Sequence, residues 1–110
     1  MASPPKGSSG KRTDPPRLSD GTRQFRKDWE RLSRSGRYNM RNLKDAMLLL
    51  IANEGPLPVE WRDHVLIGDW ADHRECHIGG DFLLISRLDD TGREPTVIFV
   101  RAGTHADLFE

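Results

Sequence analysis

The sequence lacks the features that mark several large classes of protein. It has a single cysteine, Cys76, and therefore cannot form a disulfide within the chain. Its longest apolar run, residues 46–52, is far shorter than the roughly 20 residues that a membrane-spanning helix requires. The amino-terminal residues are basic but include no apolar stretch of the kind found in a secretory signal. We therefore expect a cytoplasmic protein with no membrane partner.

The chain is also short and polar. Its 110 residues suffice for one domain, and 35% of them are hydrophobic while 31% are charged. Residues 1–20 contain four of the seven prolines together with Ser, Gly, Lys and Arg, and they show no apolar periodicity. We predict a disordered or flexible arm over residues 1–20 and one folded domain over residues 21–110.

No excess of one charge marks the whole chain, because its 17 basic and 17 acidic residues cancel. Residues 1–62, however, carry 13 Lys and Arg against 7 Asp and Glu, whereas residues 63–110 carry 4 against 10. A basic half favours a phosphate-rich partner, since binding releases counterions. Arg26 and Lys27 in this half are candidate RNA-binding residues. The same charges are equally expected on the solvated faces of two helices.

Two amphipathic helices are predicted in the basic half. The first spans residues 22–35, and Gly36 is placed to end it. Its apolar residues recur at helical spacing: Phe25, Trp29 and Leu32. The second begins at Asn39, which can cap a helix, and stops at Asn53. Its apolar stripe consists of Met40, Leu43, Met47, Leu50 and Ile51.

The remainder of the chain shows the patterns of β-strands. Strands are predicted over residues 70–78, 82–85 and 96–100, and Gly79-Gly80 favours a tight hairpin between the first two. Two helices followed by three strands predict an α+β fold, in which the helices pack on a small, mainly antiparallel sheet.

All four histidines lie in this strand-rich part of the chain: His64, His73, His77 and His105. Histidine is the side chain best suited to proton transfer near neutral pH. Glu75 and His77 are two residues apart on a predicted strand, which puts a carboxylate and an imidazole on the same surface. Asp81 at the hairpin is close enough to join them. The alternation is equally typical of a polar, solvent-facing side of a half-covered sheet.

Five motifs occur in a specific order near and within the predicted strands. They are Trp61-Arg62-Asp63-His64, Leu66-Ile67-Gly68-Asp69-Trp70, Arg74-Glu75-Cys76-His77-Ile78, Asp81-Phe82-Leu83-Leu84-Ile85, and Arg101-Ala102-Gly103-Thr104-His105-Ala106-Asp107-Leu108-Phe109. In order and spacing the chain resembles the YafQ-type mRNA interferases of the RelE/ParE-like toxin superfamily, over about residues 22–110. Each motif alone is weak, but five in order make the match specific.

The resemblance implies a RelE-like fold and a toxin of a type II toxin–antitoxin system. Such a toxin cuts mRNA in the ribosomal A site, by attack of a ribose 2′-hydroxyl on the adjacent phosphate and with no metal or other cofactor. The implied partners are the 70S ribosome, mRNA and a cognate antitoxin of the ribbon-helix-helix, RelB/DinJ-like type. Operator DNA would be bound only through that antitoxin.

The family's active-site positions fall on six residues of this chain: His64, Glu75, His77, Asp81, His105 and Phe109. The reaction needs one group to take the 2′-hydroxyl proton, another to protonate the departing 5′-oxygen, and positive groups to stabilise the phosphorane. We assign Asp81 as the general base and His105 as the general acid. His64 and His77 would stabilise the phosphate, and Glu75 would orient a histidine. Asp81 and His77 could exchange roles.

The end of the chain supplies two candidate substrate-binding residues. Phe109 could stack on a base of single-stranded RNA, although a side chain tucked against the sheet is an equal alternative. Arg101 is assigned to RNA contact. The chain departs from the family at Gly79-Gly80, where an acidic or proline-containing pair is common, and this change could displace Asp81. The first strand that the resemblance implies, before Thr22, has only Leu18 as an apolar residue.

Three other functions compete with this interpretation. A metallohydrolase could use the same histidines and carboxylates, but the sequence has no helical His-x-x-x-His or closely spaced Cys/His ligand pair. A ParE-like toxin would share the fold and poison gyrase by binding, without catalysis. A catalytically inactive relative would only bind the antitoxin.

Overall fold

The structure, a computed structural model, describes residues 14–109; residues 1–13 and 110 lie outside it. Within the described range three helices pack on one five-stranded sheet. The strands are β1 (Leu18–Gly21), β2 (His64–Val65), β3 (His73–Gly79), β4 (Phe82–Asp89) and β5 (Thr96–Gly103). The helices are α1 (Arg23–Ser35), α2 (Met40–Ala52) and α3 (His105–Phe109). The predicted α+β fold is confirmed.

The strand order in the sheet is β1-β5-β4-β3-β2. Strand β1 runs parallel to β5, and the other neighbouring pairs are antiparallel. Short 3-10 turns at Val59–Trp61 and Gly68–Trp70 flank β2. The sequence predicted α1, α2 and the strands β3 to β5, whereas β2 and α3 were not predicted. Among the described residues no helix is long and apolar enough to cross a membrane.

Helix α1 begins and ends as predicted. The Thr22 hydroxyl accepts a hydrogen bond from the Phe25 backbone N–H at 2.9 Å, which caps the helix. Gly36 ends it with a φ of 71°, a left-handed conformation that glycine adopts at little steric cost. The buried side of α1 carries Phe25 and Leu32 and also a carboxylate, Asp28. A fully buried Asp is rare unless it is paired, so Asp28 must have partners.

Helix α2 is built in the same way. The Asn39 side chain accepts the Asn42 backbone N–H at 2.9 Å, and Asn53 ends the helix with a φ of 58°. Leu43 and Ala46 are fully buried against the sheet. Helices α1 and α2 therefore cover one side of the sheet, which we call the helix face.

The two faces of the sheet bury different residues. The core on the helix face consists of Phe25, Leu32, Leu43, Ala46, Cys76, Ile78, Phe82, Leu84, Val97, Phe99 and Ala102. The opposite side, which we call the open face, has a smaller cluster of Leu83, Ile85 and Leu108, the last from α3. Residues of β4 alternate between the two, because successive side chains of a strand point to opposite faces.

The hairpin between β3 and β4 turns at Gly80 and Asp81, because Gly79 already pairs with Phe82. Gly80 has a φ of 53°, as a two-residue hairpin turn requires. Of the two predicted turn glycines, Gly80 is therefore the one whose conformational freedom is used. The register shifts between His77 and Gly79, so a β-bulge stands just before the turn.

The sheet begins inside the segment that the sequence assigned to the arm. Residues Leu18 to Gly21 pair in parallel with Thr96 to Phe99, and the Leu18 N–H donates to the Pro95 carbonyl at 3.1 Å. These backbone hydrogen bonds form whatever the side chains are, which is why a strand with one apolar residue is stable here. The rest of the predicted arm, residues 1–13, lies outside the described residues.

Candidate active site

Three of the predicted site residues meet on the open face through strand pairing. His64 of β2 lies directly across from Glu75 of β3, and His77 follows Glu75 two residues later. Directly opposed residues of an antiparallel pair share a face, as do residues two apart on one strand. Strand β4 is the other neighbour of β3 in the sheet, and there Glu75 pairs with Ile85 and His77 pairs with Leu83. The apolar cluster of the open face therefore forms the floor beside these polar side chains.

Glu75 lies between the two histidines. Its Oε2 is 3.3 Å from His64 Nε2 and 3.5 Å from His77 Nε2, and the two imidazole rings are 6.1 Å apart between centroids. The Glu75 side chain is only 6% exposed. The alternative of a solvent-facing polar strand is thus wrong for Glu75, since a carboxylate is rarely buried without partners of this kind.

His64 has a defined orientation. Its Nδ1 lies 2.8 Å from the carbonyl oxygen of Arg62. A carbonyl oxygen only accepts hydrogen bonds, so His64 Nδ1 must carry the proton in this contact and Nε2 is directed at Glu75. Arg62 itself ends a 3-10 turn in a left-handed conformation, with a φ of 49°.

A second histidine–carboxylate pair is formed by His105 and Asp81. The His105 Nδ1 lies 2.6 Å from Asp81 Oδ1, and the His105 backbone N–H donates to the same oxygen at 3.2 Å. Asp81 is the second turn residue of the hairpin, and His105 is the first residue of α3. The Gly79-Gly80 departure from the family pattern therefore leaves Asp81 in contact with His105.

Asp81, assigned from the sequence as the general base, is engaged with His105 and has a lowered pKa. The His105 side-chain hydrogen bond and its backbone hydrogen bond hold the Asp81 pKa below its ordinary value. A carboxylate with a lowered pKa accepts a proton less readily. The same contact engages Nδ1 of His105, so Nε2 is the ring nitrogen that would exchange a proton with substrate.

Phe109 lies at the edge of the site in an aromatic group. Its ring is 5.7 Å from the His105 ring and 5.7 Å from the Trp70 ring, the latter in an edge-to-face arrangement. Phe109 is partly exposed, at 38%. Trp70 was not predicted as a site residue. The signal was its position in the second of the five ordered motifs.

The other predicted substrate-binding residues lie on or against α1. Arg101 makes two hydrogen bonds to the Asp28 carboxylate, from Nε at 2.8 Å and from Nη2 at 3.2 Å. The hydrogen bond with Asp28 raises the pKa of Arg101. Its guanidinium is therefore already engaged within the fold. Arg26 pairs with Asp20 at 3.1 Å on an exposed surface, and Lys27 beside it is exposed.

The fold also brings together three side chains of the kinds that bind metals. One ligand atom from each of His64, Glu75 and His77 lies within 4.8 Å of the others. These three residues come from two paired strands, so no helical His-x-x-x-His or closely spaced Cys/His pair marks them in the sequence. The geometry could accept a cation.

A cavity of about 340 Å³ opens beside Asp81. It lies between the hairpin and the link from α1 to α2, and its lining includes Arg37, Tyr38 and Asn42. The Tyr38 ring packs against Phe82 at 5.0 Å, and the Arg37 guanidinium lies 5.7 Å from the Tyr38 ring. The cavity therefore offers an aromatic ring and a cation next to the His105–Asp81 pair.

The comparisons with known proteins agree on one family. A family described as "Bacterial toxin of type II toxin-antitoxin system, YafQ" matches residues 18–110. The mRNA interferase toxin YafQ of Escherichia coli strain K12 is 41% identical over 86 residues, which cover 78% of this chain and 88% of that protein.

Solved structures give the same result. The crystal structure of YafQ from Escherichia coli strain BL21(DE3) has a TM-score of 0.75 at 37% identity, covering 86% of this chain and 99% of that one. The toxin in the Escherichia coli DinJ–YafQ complex has a TM-score of 0.73 at 38% identity, covering 86% and 99%. A metal-bound toxin from Helicobacter pylori has a TM-score of 0.72 at 32% identity, covering 84% and 98%.

Proposed function

Because the chain belongs to the YafQ family of toxins from bacterial type II toxin–antitoxin systems, we propose that this mRNA interferase cuts its substrate with two histidine–carboxylate units. One unit is His64, Glu75 and His77; the other is His105 and Asp81. The observation that carries the proposal is the contact of each carboxylate with an imidazole nitrogen, at 3.3 and 3.5 Å in the first unit and 2.6 Å in the second.

The reaction needs one proton acceptor and one proton donor. The ribose 2′-oxygen attacks the adjacent phosphorus, its proton goes to a base, and the 5′-oxygen leaves with a proton from an acid. The products are a 2′,3′-cyclic phosphate and a 5′-hydroxyl. His105 is the acid: the Asp81 carboxylate orients its ring through Nδ1, and Nε2 donates the proton.

The base in this proposal is His77, with Asp81 serving to orient His105. Asp81 is the weaker candidate because its pKa is lowered and its Oδ1 accepts two hydrogen bonds from His105. Glu75, buried beside His77, orients that ring. His64 in its protonated form is the group that meets the charge growing on the phosphorane.

Substrate binding is assigned to two parts of the surface. Phe109, partly exposed and supported by Trp70, stacks on a base next to the cut. The exposed basic residues Arg26 and Lys27 of α1 contact ribosomal RNA when the toxin occupies the A site of the 70S ribosome. Arg101 acts indirectly in this proposal, since Asp28 already holds its guanidinium.

A toxin of this family has a cognate antitoxin, as the Escherichia coli toxin has in the DinJ–YafQ complex. We propose a ribbon-helix-helix, RelB/DinJ-like antitoxin that binds operator DNA and carries the toxin with it. A ribosomal substrate places the action of the toxin in the cytoplasm.

The test is to express the protein, follow translation and map RNA 5′ ends. Wild type is expected to cut translated mRNA in phase with codons, whereas His105→Ala and Asp81→Ala are expected to cut far less. A matched control removes a carboxylate away from the site: Asp90→Ala in the exposed β4–β5 loop.

Three outcomes would contradict parts of the proposal. Growth arrest with intact mRNA would indicate a gyrase-binding toxin, and undiminished cleavage by both active-site variants would remove the mechanism. Cleavage of free RNA at the same rate as ribosome-bound RNA would remove only the A-site requirement.

A further inference from the structure

Asp28 is a buried carboxylate that the proposed reaction does not use. It lies on α1 and is 1% exposed. Burial raises its pKa, but hydrogen bonds from Arg101, Ala102 and Gln24 outweigh this, and the pKa ends below its ordinary value. An ionised carboxylate kept this deep in a small domain is costly unless its hydrogen bonds serve the fold or the site.

Asp28 completes the edge of β5 where β1 has ended. Strand β1 pairs with β5 only as far as Phe99. Beyond that point the Thr22 hydroxyl donates to the Val100 carbonyl at 2.7 Å, and Asp28 Oδ2 accepts the Ala102 N–H at 3.1 Å. Side chains of the α1 segment thus replace a neighbouring strand and fix the backbone three residues before His105.

Arg31, one turn further along α1, extends this connection to α3. Its Nη2 lies 3.4 Å from Asp28 Oδ1 and its Nη1 lies 3.4 Å from Asp107 Oδ2. Asp107 and Thr104 cap each other: the Thr104 N–H donates to Asp107 Oδ2 at 3.0 Å, and the Asp107 N–H donates to the Thr104 hydroxyl at 3.2 Å.

The junction between β5 and α3 is also sterically tight. Gly103 has a φ of 156°. A Cβ atom there would lie 2.8 Å from Asp107 Oδ2 and 3.4 Å from Arg31 Nη2. Only glycine fits between α1 and α3 at this point.

We propose that Asp28 and Arg31 are positioning residues that hold α3 so that His105 stays against Asp81. The inference rests on the proposed function, because it takes His105 as the acid. A helix of five residues has no stability of its own, and α3 is the element that carries both His105 and Phe109. Its orientation must come from contacts with the rest of the fold. Asp28 accepts the Ala102 N–H in β5, just before the junction, and Arg31 pairs with Asp107 within α3.

The test is a double-mutant cycle on purified toxin with mRNA-programmed ribosomes. Asp28→Asn removes the charge at nearly constant shape and is expected to lower kcat by about tenfold to a hundredfold, since misplaced catalytic groups cost rate. Arg31→Met, at a half-exposed side chain, is expected to act in the same direction more weakly. Glu30→Gln is the matched control: the same carboxyl-to-amide change, exposed, two residues away.

Both substitutions are then repeated in a His105→Ala background. If they act through His105, they lower the residual rate no further. A purely structural role would reduce the rate by the same factor in both backgrounds.

An NMR titration of the Asp81 carboxyl gives a second readout. The His105 hydrogen bonds are what hold the Asp81 pKa down, so this pKa is expected to rise toward its ordinary value in Asp28→Asn and Arg31→Met and to stay unchanged in Glu30→Gln. Arg31→Met carries the test if Asp28→Asn does not fold. Wild-type kcat and an unchanged Asp81 pKa in the folded variants would overturn the inference, whereas an active His105→Ala protein would overturn the proposed function instead.

Discussion

The helix face and the open face of the sheet are made by the same strands but differ in what they bury. On the helix face, two helices cover an apolar core to which β3 contributes Cys76 and Ile78. On the open face, the alternate residues of β3 are Glu75 and His77, and α3 is the helix that packs there. One strand thus supplies apolar core residues on one side and the proposed catalytic groups on the other, because its side chains alternate.

The two faces also differ in how their polar groups are used. Cys76 on the helix face has its pKa raised to about 12, chiefly by burial, and the thiol is inert at neutral pH. Glu75 on the open face is nearly as buried, but two imidazole nitrogens lie within 3.5 Å of it. Burial without partners makes a group unreactive, while burial between partners fixes the geometry that proton transfer requires.

Glu75→Gln is expected to have the largest effect on activity and little effect on stability. The change keeps the shape of the side chain and removes the charge that orients His77, so cleavage should fall about a hundredfold. The free energy of unfolding should change less than it does on truncation of a core leucine, because glutamine fills nearly the same space. The measurements are single-turnover cleavage on ribosomes and urea unfolding.

Asp45→Asn, an exposed carboxylate on α2, is the control for Glu75→Gln. It should change neither quantity. If Glu75→Gln cuts as fast as wild type, the open face does not act through Glu75.

Leu32→Ala on the helix face should lower the stability of the fold strongly and change the cleavage activity little. Leu32 is fully buried, and truncating such a leucine costs about 2–5 kcal/mol of the free energy of unfolding. At a temperature where the variant is folded, cleavage per folded molecule should stay close to wild type. Leu48→Ala, at an exposed leucine of α2, should cost no more than about 0.5 kcal/mol. A large loss of cleavage by fully folded Leu32→Ala would contradict the division between the faces.

The elements of the helix face could be predicted because their signals are local. Thr22 and Asn39 cap their helices within three residues of themselves, and the apolar stripes repeat within each helix. On β3 the alternation correctly placed Glu75 and His77 on one surface. Such patterns need no knowledge of which segments meet.

The parts that escaped prediction depend on contacts distant in sequence. The link from Asp28 to Arg101 spans 73 residues, and nothing local in α1 indicates that an aspartate on its apolar side is satisfied by β5. Glu75 is buried because β2 pairs with β3, and a two-residue strand has almost no sequence signature. Trp70 joins Phe109 only after α3 folds back on the open face.

Arg26→Glu with Lys27→Glu should weaken binding to the 70S ribosome by about tenfold at low salt, with a shallower salt dependence. Both side chains lie on the exposed side of α1, away from the open face, so cleavage after binding should be unchanged. Arg93→Glu in the exposed β4–β5 loop is the control for charge reversal. Sedimentation with ribosomes at several salt concentrations measures the effect, and equal binding by the double variant would remove α1 from the interface.

A smaller effect is expected on the pH dependence of stability. The pKa values of Asp28 and Asp81 are both lowered in the fold, so each stabilises it fully above the ordinary value of 3.8 and loses that contribution as the pH falls below 3.8. Acid unfolding should therefore depend less steeply on pH in Asp28→Asn. The change should be smaller in Asp81→Asn, because the Asp81 side chain is exposed and solvent screens its contacts. An equal or larger change in Asp81→Asn would contradict this order.

The smallest expected effect is that of removing metal ions from the toxin. His64, Glu75 and His77 could hold a cation, but in the proposed mechanism their lone pairs and protons serve the substrate. Toxin treated with EDTA, freed of the chelator and added to ribosomes in their normal magnesium buffer should therefore cut at the untreated rate. Added Cu²⁺ or Zn²⁺ should instead inhibit, because a metal bound to His77 prevents it from accepting a proton. His64→Ala, which lacks one ligand, should need more metal for the same inhibition. Activity that is lost on chelation and restored by Zn²⁺ would make the open face a metal centre, with the same three residues as its ligands.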